Sequence, residues 1–245
     1  MVSKSQIKLI TSLEQKKNRS KTGLFVVEGK KGINELLNSN FQLNSLFTTQ
    51  DIFDAPQQKI NLISESELQK ISRLKTAQIA VALFKIPNQN ISLETKGLVL
   101  VLDGVRDPGN LGTIIRLCDW FGVENLICSK DTVDCYNSKV VQATMGSITR
   151  VHISYVDLEV FLADHHQTAI MGAFLEGANI YKSQLPKEGI LILGNEANGI
   201  SATIEKLVTK KVYIPPYGNS ADTESLNVAT ATAVILSEFR RQANY

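Results

Sequence analysis

Six side chains spread over three stretches of this sequence could act together on a small polar molecule: Asn110 and Arg116, Asn195 and Glu196, Ser225 and Asn227. Amides, a carboxylate, a hydroxyl and a guanidinium can orient a hydroxyl group and balance charge. Each pair stands on or just beyond a polar loop that follows an apolar run. The loops are "DGVRDPGNLG" after residues 98–102, "GNEANGIS" after 190–193 and "PPYGNSADTESLN" after 211–214. Glycines accompany all three, so backbone groups can approach a ligand closely. Such a set suits a polar, flat or zwitterionic ligand held largely through main-chain groups.

The chemistries that this set does not support narrow the field. A dinucleotide fingerprint needs G-x-G-x-x-G after the first strand and an acidic residue at the end of the second; the chain has "DPGNLG", and its second strand ends in "ICSK". A phosphate-binding G-x-x-x-x-G-K-[ST] loop and a G-x-S-x-G nucleophile elbow are both absent, and the only histidines are His152, His165 and His166. Cys118, Cys128 and Cys135 form no C-x-x-C pair, which argues against a disulfide framework or a structural zinc site, so no metal is expected. What remains is a nucleotide-like site better suited to orienting a hydroxyl and a cationic methyl donor than to hydrolysis.

The elements needed to position these loops are legible in the hydrophobic pattern. "GLVLVLD" is apolar throughout, as a parallel strand covered on both faces must be. "LGTIIRLCDWFG" follows as a helix with Leu111, Ile114, Ile115 and Cys118 on one stripe. Further strands are expected at "NLICS", "TAIMGAF", "GILILGNE" and "KVYIP". Helices are expected over "NSKVVQATMGS", near "SATIEKLV" and over "LNVATATAVILSEFRRQ". This is an α/β pattern with a parallel sheet, in which ligands bind at the carboxyl ends of the strands.

Upstream, "SQIKLITSLEQKKN" reads as one amphipathic helix ending near Asn18. "GLFVVEG", "LNSLFTT" and "QIAVALFKI" read as strands, and "INELLNS" and "SESELQKIS" as helices. We therefore expect a small α/β domain over residues 1–90, a linker at 91–96 and a second domain over 97–245. Net charge is only +2, but residues 1–35 carry eight basic side chains against three acidic ones. Lys16, Lys17, Arg19 and Lys21 are the candidate contacts for a phosphate backbone. The apolar runs are too short to span a bilayer and Met1–Lys17 lacks the apolar centre of a signal peptide, so a cytoplasmic protein with no membrane partner is expected.

"LDGVRDPGNLGTIIRLCDWFGV", "LILGNEANGIS" and "IPPYG…SLNVATATAVIL" resemble, in order and context, the three motifs of the SpoU (TrmH-type) RNA ribose 2′-O-methyltransferases of the SPOUT superfamily. "KTGLFVVEGKKGINELL" is similar to a substrate-binding domain often fused in front, whose fold resembles RNA-binding ribosomal proteins. The resemblance implies a deep trefoil knot in the second domain and S-adenosylmethionine as cofactor. It also implies a homodimer formed through the C-terminal domain, and methyl transfer to a ribose 2′-hydroxyl in structured RNA. Ribosomal RNA is favoured over transfer RNA. The alternatives are a transfer RNA methyltransferase and a non-catalytic RNA-binding protein that keeps the fold.

By the same resemblance, Asn110, Arg116, Glu196, Ser225 and Asn227 form the catalytic set. Asn110 shapes the first loop and Arg116 reaches the RNA from the partner subunit, by positioning and electrostatics, since a guanidinium normally stays protonated. Glu196 orders the second motif, while Ser225 and Asn227 place the ribose and hold the third. Leu175, Gly194, Asn195, Gly199, Ile214 and Leu226 are the cofactor-binding candidates. The chain departs from the family pattern at Ala197, where glycine is usual, and in a longer third loop that includes Pro216.

Overall fold

A computed structural model describes residues 1–87, 97–218 and 225–243. The expected linker at 91–96 lies outside the described residues, as does the 219–224 part of the third loop. The chain divides into two compact units. One gathers the described residues of Met1–Gln89 with Asp134–Thr149, and the other gathers the described residues of Asn90–Val133 with Arg150–Tyr245.

In the first unit, helices α1 (Lys4–Ser12) and α2 (Lys16–Thr22) lead into strand β1 (Leu24–Glu28). Helix α3 (Lys30–Leu37), strands β2 (Leu43–Thr48) and β3 (Ile60–Leu62), helix α4 (Glu65–Ile71) and strand β4 (Ala80–Lys85) follow. The strands form one sheet in the order β1-β4-β2-β3, with β2 and β3 parallel and the other pairs antiparallel. Ser64 and Glu67 cap α4 reciprocally, as "SESE" predicts. Ile10, Leu13, Val26, Phe47, Leu68, Ile71, Val81 and Leu83 bury one face of the sheet beneath α1 and α4.

The expected single N-terminal helix is broken at Leu13–Gln15, and the reason corrects a second expectation. Gln15 is extended, and the carbonyls exposed by the break, those of Leu13 and Glu14, both accept from Arg19 Nη1 at 2.8 Å. Arg19 is only 2% exposed, and its remaining edge meets Asp134 Oδ2 at 2.9 Å from Nε and 2.5 Å from Nη2. Four of its five donor hydrogens are spent inside the unit and the side chain is buried, so Arg19 is not placed to contact RNA. Lys16, Lys17 and Lys21 do lie exposed on α2.

The second unit begins with strand β5 (Leu98–Leu102), helix α5 (Pro108–Trp120) and strand β6 (Asn125–Ser129). Helix α6 (Ser138–Thr144) comes next in the chain but packs in the first unit, against β1, where Tyr136 also meets Phe25 with ring centroids 4.8 Å apart. The second unit resumes with strand β7 (His152–Val156), helix α7 (Leu158–Asp164), strands β8 (Ile170–Asn179) and β9 (Gly189–Leu193), helix α8 (Ala202–Glu205), strand β10 (Lys210–Tyr213) and helix α9 (Val228–Gln242). Strands β3 and β7 and helix α7 are additional to the elements expected from the sequence.

All six strands are parallel, in the order β10-β8-β9-β5-β6-β7. The chain runs from β5 outward through β6 to β7, then returns to place β8, β9 and β10 on the other side of β5. The strand order therefore reverses between β5 and β9, and the carboxyl ends of these two strands frame the crevice where open α/β sheets bind ligands. Val99, Val101, Ile127, Ile190 and Ile192 pack on one face with Phe161, Leu162 and Ile204 of α7 and α8. Helices α5 and α9 pack together, and Arg240 Nε and Nη2 donate to the carbonyls of Phe121 at 2.6 Å and Gly122 at 2.8 Å just past the end of α5.

Candidate active site

The loop after β5 is shaped by a left-handed glycine and a helix cap. Gly104 has φ +73°, a region costly for any residue with a Cβ. Asp107 caps α5 by accepting from Asn110 N at 2.8 Å, and Pro108 takes the first helical position, where its missing N–H costs nothing. Asn110 thus has its backbone engaged locally and its side-chain amide free for other partners.

The loop after β9 folds back on itself. Asn195 N donates to Gly199 O and Gly199 N to Asn195 O, both at 2.9 Å. The turn is tight enough that a Cβ on Gly194 would stand 2.1 Å from Gly199 C and 2.2 Å from Ile200 N, far inside contact distance. Asn195 Oδ1 accepts from the backbone of Ala197 at 2.9 Å and Asn198 at 3.2 Å, while its Nδ2 reaches across to donate to Gly104 O at 2.6 Å. Ser201 N donates to Asp103 Oδ2 at 2.7 Å, and Asp103 N to Leu193 O at 2.9 Å, so the two loops are laced together.

The third stretch enters through Asn227, which caps α9: its Oδ1 accepts from Ala229 N at 2.9 Å and Thr230 N at 3.3 Å. That leaves Asn227 Nδ2 to donate to Asn110 Oδ1 at 2.9 Å, while Asn110 Nδ2 donates to Glu196 Oε1 at 3.0 Å. One amide therefore joins all three stretches, with Asn227 a donor to it and Glu196 an acceptor from it. Asn227 thus caps α9 and bridges to the first loop at once.

Arg116 lies one and a half turns along α5 from Asn110, on the side opposite the buried Leu111, Ile114, Ile115 and Cys118. It is exposed and makes no hydrogen bond or ion pair among the described residues. The carboxylate three residues along the helix, Asp119, is engaged by Arg150 at 2.9–3.1 Å. Ser225 is exposed just before α9 and makes no hydrogen bond among the described residues.

The remaining candidates lie at the carboxyl ends of β8, β9 and β10 or in the approach to α9. Between Lys211, which pairs with Gly172, and Val212, which pairs with Ala178, the register jumps, so residues 173–177 bulge out of β8. Leu175 on this bulge is 73% exposed, and Lys211 Nζ, bonded to Glu205, rests over the Phe174 ring at 4.7 Å. Leu226 is 47% exposed, and Ile214 is half-buried directly after β10. Apolar side chains left in solvent beside exposed backbone suit a nucleoside with an aliphatic tail. Carboxylates at Asp103, Asp107, Asp131 and Glu196 favour a ligand carrying positive charge.

Sequence reasoning overlooked Asp103, Arg106, Ser129 and Asp131. Arg106 N faces Glu196 Oε2 at 3.5 Å, and Arg106 Nη2 pairs with Asp131 Oδ2 at 3.2 Å. The Asp131 carboxyl is held below its usual range, chiefly by the hydroxyl of Ser129; burial opposes this, and Arg106 adds a further lowering. The Asp107 cap was legible in "DPGN", but nothing local marks Ser129 or Asp131. The three cysteines are buried and none is in a disulfide; among the described residues no cluster of three or more His, Cys, Asp or Glu side chains is placed to hold a metal ion, and no helix is long and apolar enough to cross a membrane.

Comparison with known proteins adds to this geometry. Residues 97–237 match the model of the SpoU rRNA Methylase family, and residues 4–82 match an MRM3-like substrate binding domain. Among curated proteins, the chain is 28% identical over 236 residues to the 23S rRNA (guanosine(2553)-2′-O)-methyltransferase RlmP of Bacillus subtilis (strain 168), covering 93% of each. Among solved structures, a Porphyromonas gingivalis protein assigned to the TrmH family of RNA methyltransferases superposes with TM-score 0.90 at 37% identity over 99% of each chain. An AdoMet-bound rRNA methyltransferase from Sinorhizobium meliloti gives TM-score 0.86 at 28% identity, over 100% of this chain and 98% of that one.

Proposed function

Because this chain belongs to the SpoU rRNA methylase family, we propose that the crevice between β5 and β9 is its active site. There it transfers a methyl group from S-adenosylmethionine to a ribose 2′-hydroxyl of structured RNA, with ribosomal RNA as substrate. The observation that carries the site assignment is the bridge Asn227–Asn110–Glu196, which ties the three motif loops together through one side-chain amide.

The residues present fit the cofactor. S-adenosylmethionine has no phosphate, which agrees with loops that lack a phosphate-binding fingerprint, and it carries positive charge, which agrees with the carboxylates around the crevice. Leu175, Ile214 and Leu226 would cover its apolar parts, and the backbone of Gly194, Asn195 and Gly199 would bond its polar edges. When bound, it supplies an electrophilic methyl group on a sulfonium centre. The chain's own part is to bring the ribose oxygen into line with that methyl, and positioning of this kind can lower a barrier by roughly 7–11 kcal/mol.

Glu196, fixed by Asn110, orders the second loop, and Ser225, carried on the approach to α9, contacts the ribose. Arg116, exposed and unengaged, takes the RNA backbone or the target hydroxyl through its guanidinium, from one subunit of a homodimer into the site of the other. As the oxygen–methyl bond formed, the sulfonium carbon–sulfur bond would break to leave a neutral thioether, and the hydroxyl proton would pass to solvent. The trefoil knot, a cytoplasmic location and RNA binding by the exposed lysines of α2 belong to the same reading.

Transfer of labelled methyl to unmodified rRNA and tRNA, followed by nucleoside analysis, tests it with wild type and Arg116→Ala side by side. A 2′-O-methylnucleoside formed in rRNA by the wild type and lost in the variant is expected. Absence of both transfer and cofactor binding in the wild type would refute the enzyme reading.

A further inference from the structure

The loop that carries Asn110 is held by more bonds than its motif partners supply, and the surplus leads to Arg106. Ser129, buried at the end of β6, accepts from Gly104 N at 2.9 Å, donates to Asp131 Oδ1 at 2.6 Å and lies 2.9 Å from Thr132 Oγ1. Asp131 Oδ2 meets Arg106 Nη2 at 3.2 Å, so Gly104, Ser129, Asp131 and Arg106 close a ring around the first turn of the loop. The backbone on either side is also pinned: Val105 O accepts from Val133 N at 2.9 Å, and Arg106 N faces Glu196 Oε2.

An exposed ion pair such as Arg106–Asp131 contributes little to folding. Yet this one is anchored to a buried hydroxyl, and the backbone N–H of Arg106 faces Glu196 of the second motif loop. A guanidinium has five donor hydrogens, and the Arg106 side chain is 70% exposed, so most of its donors face solvent in a fixed direction. The carboxylates of Asp103, Asp107, Asp131 and Glu196 gather around this loop, and a polyanion can approach them closely only where a cation offsets their repulsion.

Resting on the function proposed above, we infer that Arg106 is a further RNA-binding residue. It takes a backbone phosphate next to the target nucleotide, and Asp131, fixed by Ser129, is the positioning residue that sets its direction. This gives the site a cation on the same loop as Asn110, in addition to Arg116 on the helix that follows.

The test uses the full chain and in vitro transcribed, unmodified 23S rRNA, with Arg106→Ala, Arg106→Lys, Asp131→Asn and the Arg106→Ala/Asp131→Asn double variant. RNA affinity is measured against salt concentration, alongside kcat, KM for RNA and the Kd for S-adenosylmethionine. Arg106→Ala should raise KM for RNA roughly tenfold or more, as expected for loss of a charge-assisted hydrogen bond. It should flatten the salt slope by about 0.7–0.9, the value for one phosphate contact. Asp131→Asn keeps the cation, so it should raise KM while preserving the slope, and it should add nothing in the Arg106→Ala background. Arg106→Lys should keep the slope and recover part of the KM. The cofactor Kd should not change in any of them.

Unchanged KM and slope in Arg106→Ala would overturn the inference, as would a weakened cofactor Kd and lowered melting point in Asp131→Asn, which would mark the ring as purely structural. A wild type that neither binds nor methylates the RNA would instead count against the underlying function, so the two failures are distinguishable.

Discussion

Replacing Gly194 by alanine should damage the second loop severely, although the change adds only one methyl group. The Cβ would stand 2.1 Å from Gly199 C, 2.2 Å from Ile200 N and 2.4 Å from Gly199 O. All three are backbone atoms, so no side chain can swing aside, and the turn must open by more than an ångström. Opening it breaks the reciprocal pair between Asn195 and Gly199 and pulls Asn195 Nδ2 from Gly104 O. Three hydrogen bonds at about 0.5–1.5 kcal/mol each give roughly 1.5–4.5 kcal/mol. At about 2–4 °C per kcal/mol for a chain of this size, the melting point should fall by roughly 3–18 °C.

Gly199 in the same loop is the control. It has φ +67° but nothing within 4 Å of a Cβ, so Gly199→Ala should cost only the left-handed backbone penalty, about 1–2 kcal/mol. The assay is thermal unfolding followed by calorimetric titration with S-adenosylmethionine. Gly194→Ala should lose cofactor affinity as well as stability, and by more than Gly199→Ala does. A Gly194→Ala protein as stable as wild type and binding cofactor normally would refute the account of the loop.

Two further outcomes follow from side-chain geometry. Asn227→Asp retains the oxygen that caps α9 but cannot donate to Asn110, so the melting point should stay near wild type while methyl transfer falls. Asn227→Ala should in addition lose about 0.5–2 kcal/mol of stability with the cap, and equal activity in wild type and Asn227→Asp would remove the bridge from the mechanism. Glu238 is buried on α9, and its carboxyl is held below its ordinary 4.5, first by Arg241 and then by Gln242, while burial opposes them. A carboxyl depressed in the folded state contributes stability that is fully present above its unfolded pKa and lost as pH falls through the folded value. The stability gap between wild type and Glu238→Gln should therefore hold at neutral pH and close below about pH 4.5, as chemical denaturation across pH would show. A gap independent of pH would refute that assignment.

Much of this protein is written in neighbouring residues. The apolar run at 98–102 folds as the central strand β5, the stripe of Leu111, Ile114, Ile115 and Cys118 is the buried side of α5, and Ser64 with Glu67 caps α4. Such features are local, because helix periodicity and caps depend on residues three or four apart. The order and spacing of the three motifs were legible for the same reason. The half-exposed strand β7 and the three-residue β3 escaped because a short strand with a polar edge leaves little periodic signal.

What only the tertiary structure decided is which distant residues meet. Arg19 reads as one more surface cation in a basic segment, yet it is buried because Asp134, 115 positions away, and the carbonyls of a broken helix take four of its five donor hydrogens. Helix α6 lies within the span of the methylase match, yet it packs in the first unit, because the face of β1 beside it accepts Tyr136 and its neighbours. Asn110 becomes the centre of the three-loop bridge only when the parallel sheet brings Glu196, 86 positions on, and Asn227, 117 positions on, within 3.0 Å of its amide. The sequence by itself determined the strands, the helices and the chemical types held at the loops. Strand order determined which of them touch, because it is settled by burial summed over the whole domain and leaves no mark on any one stretch of chain.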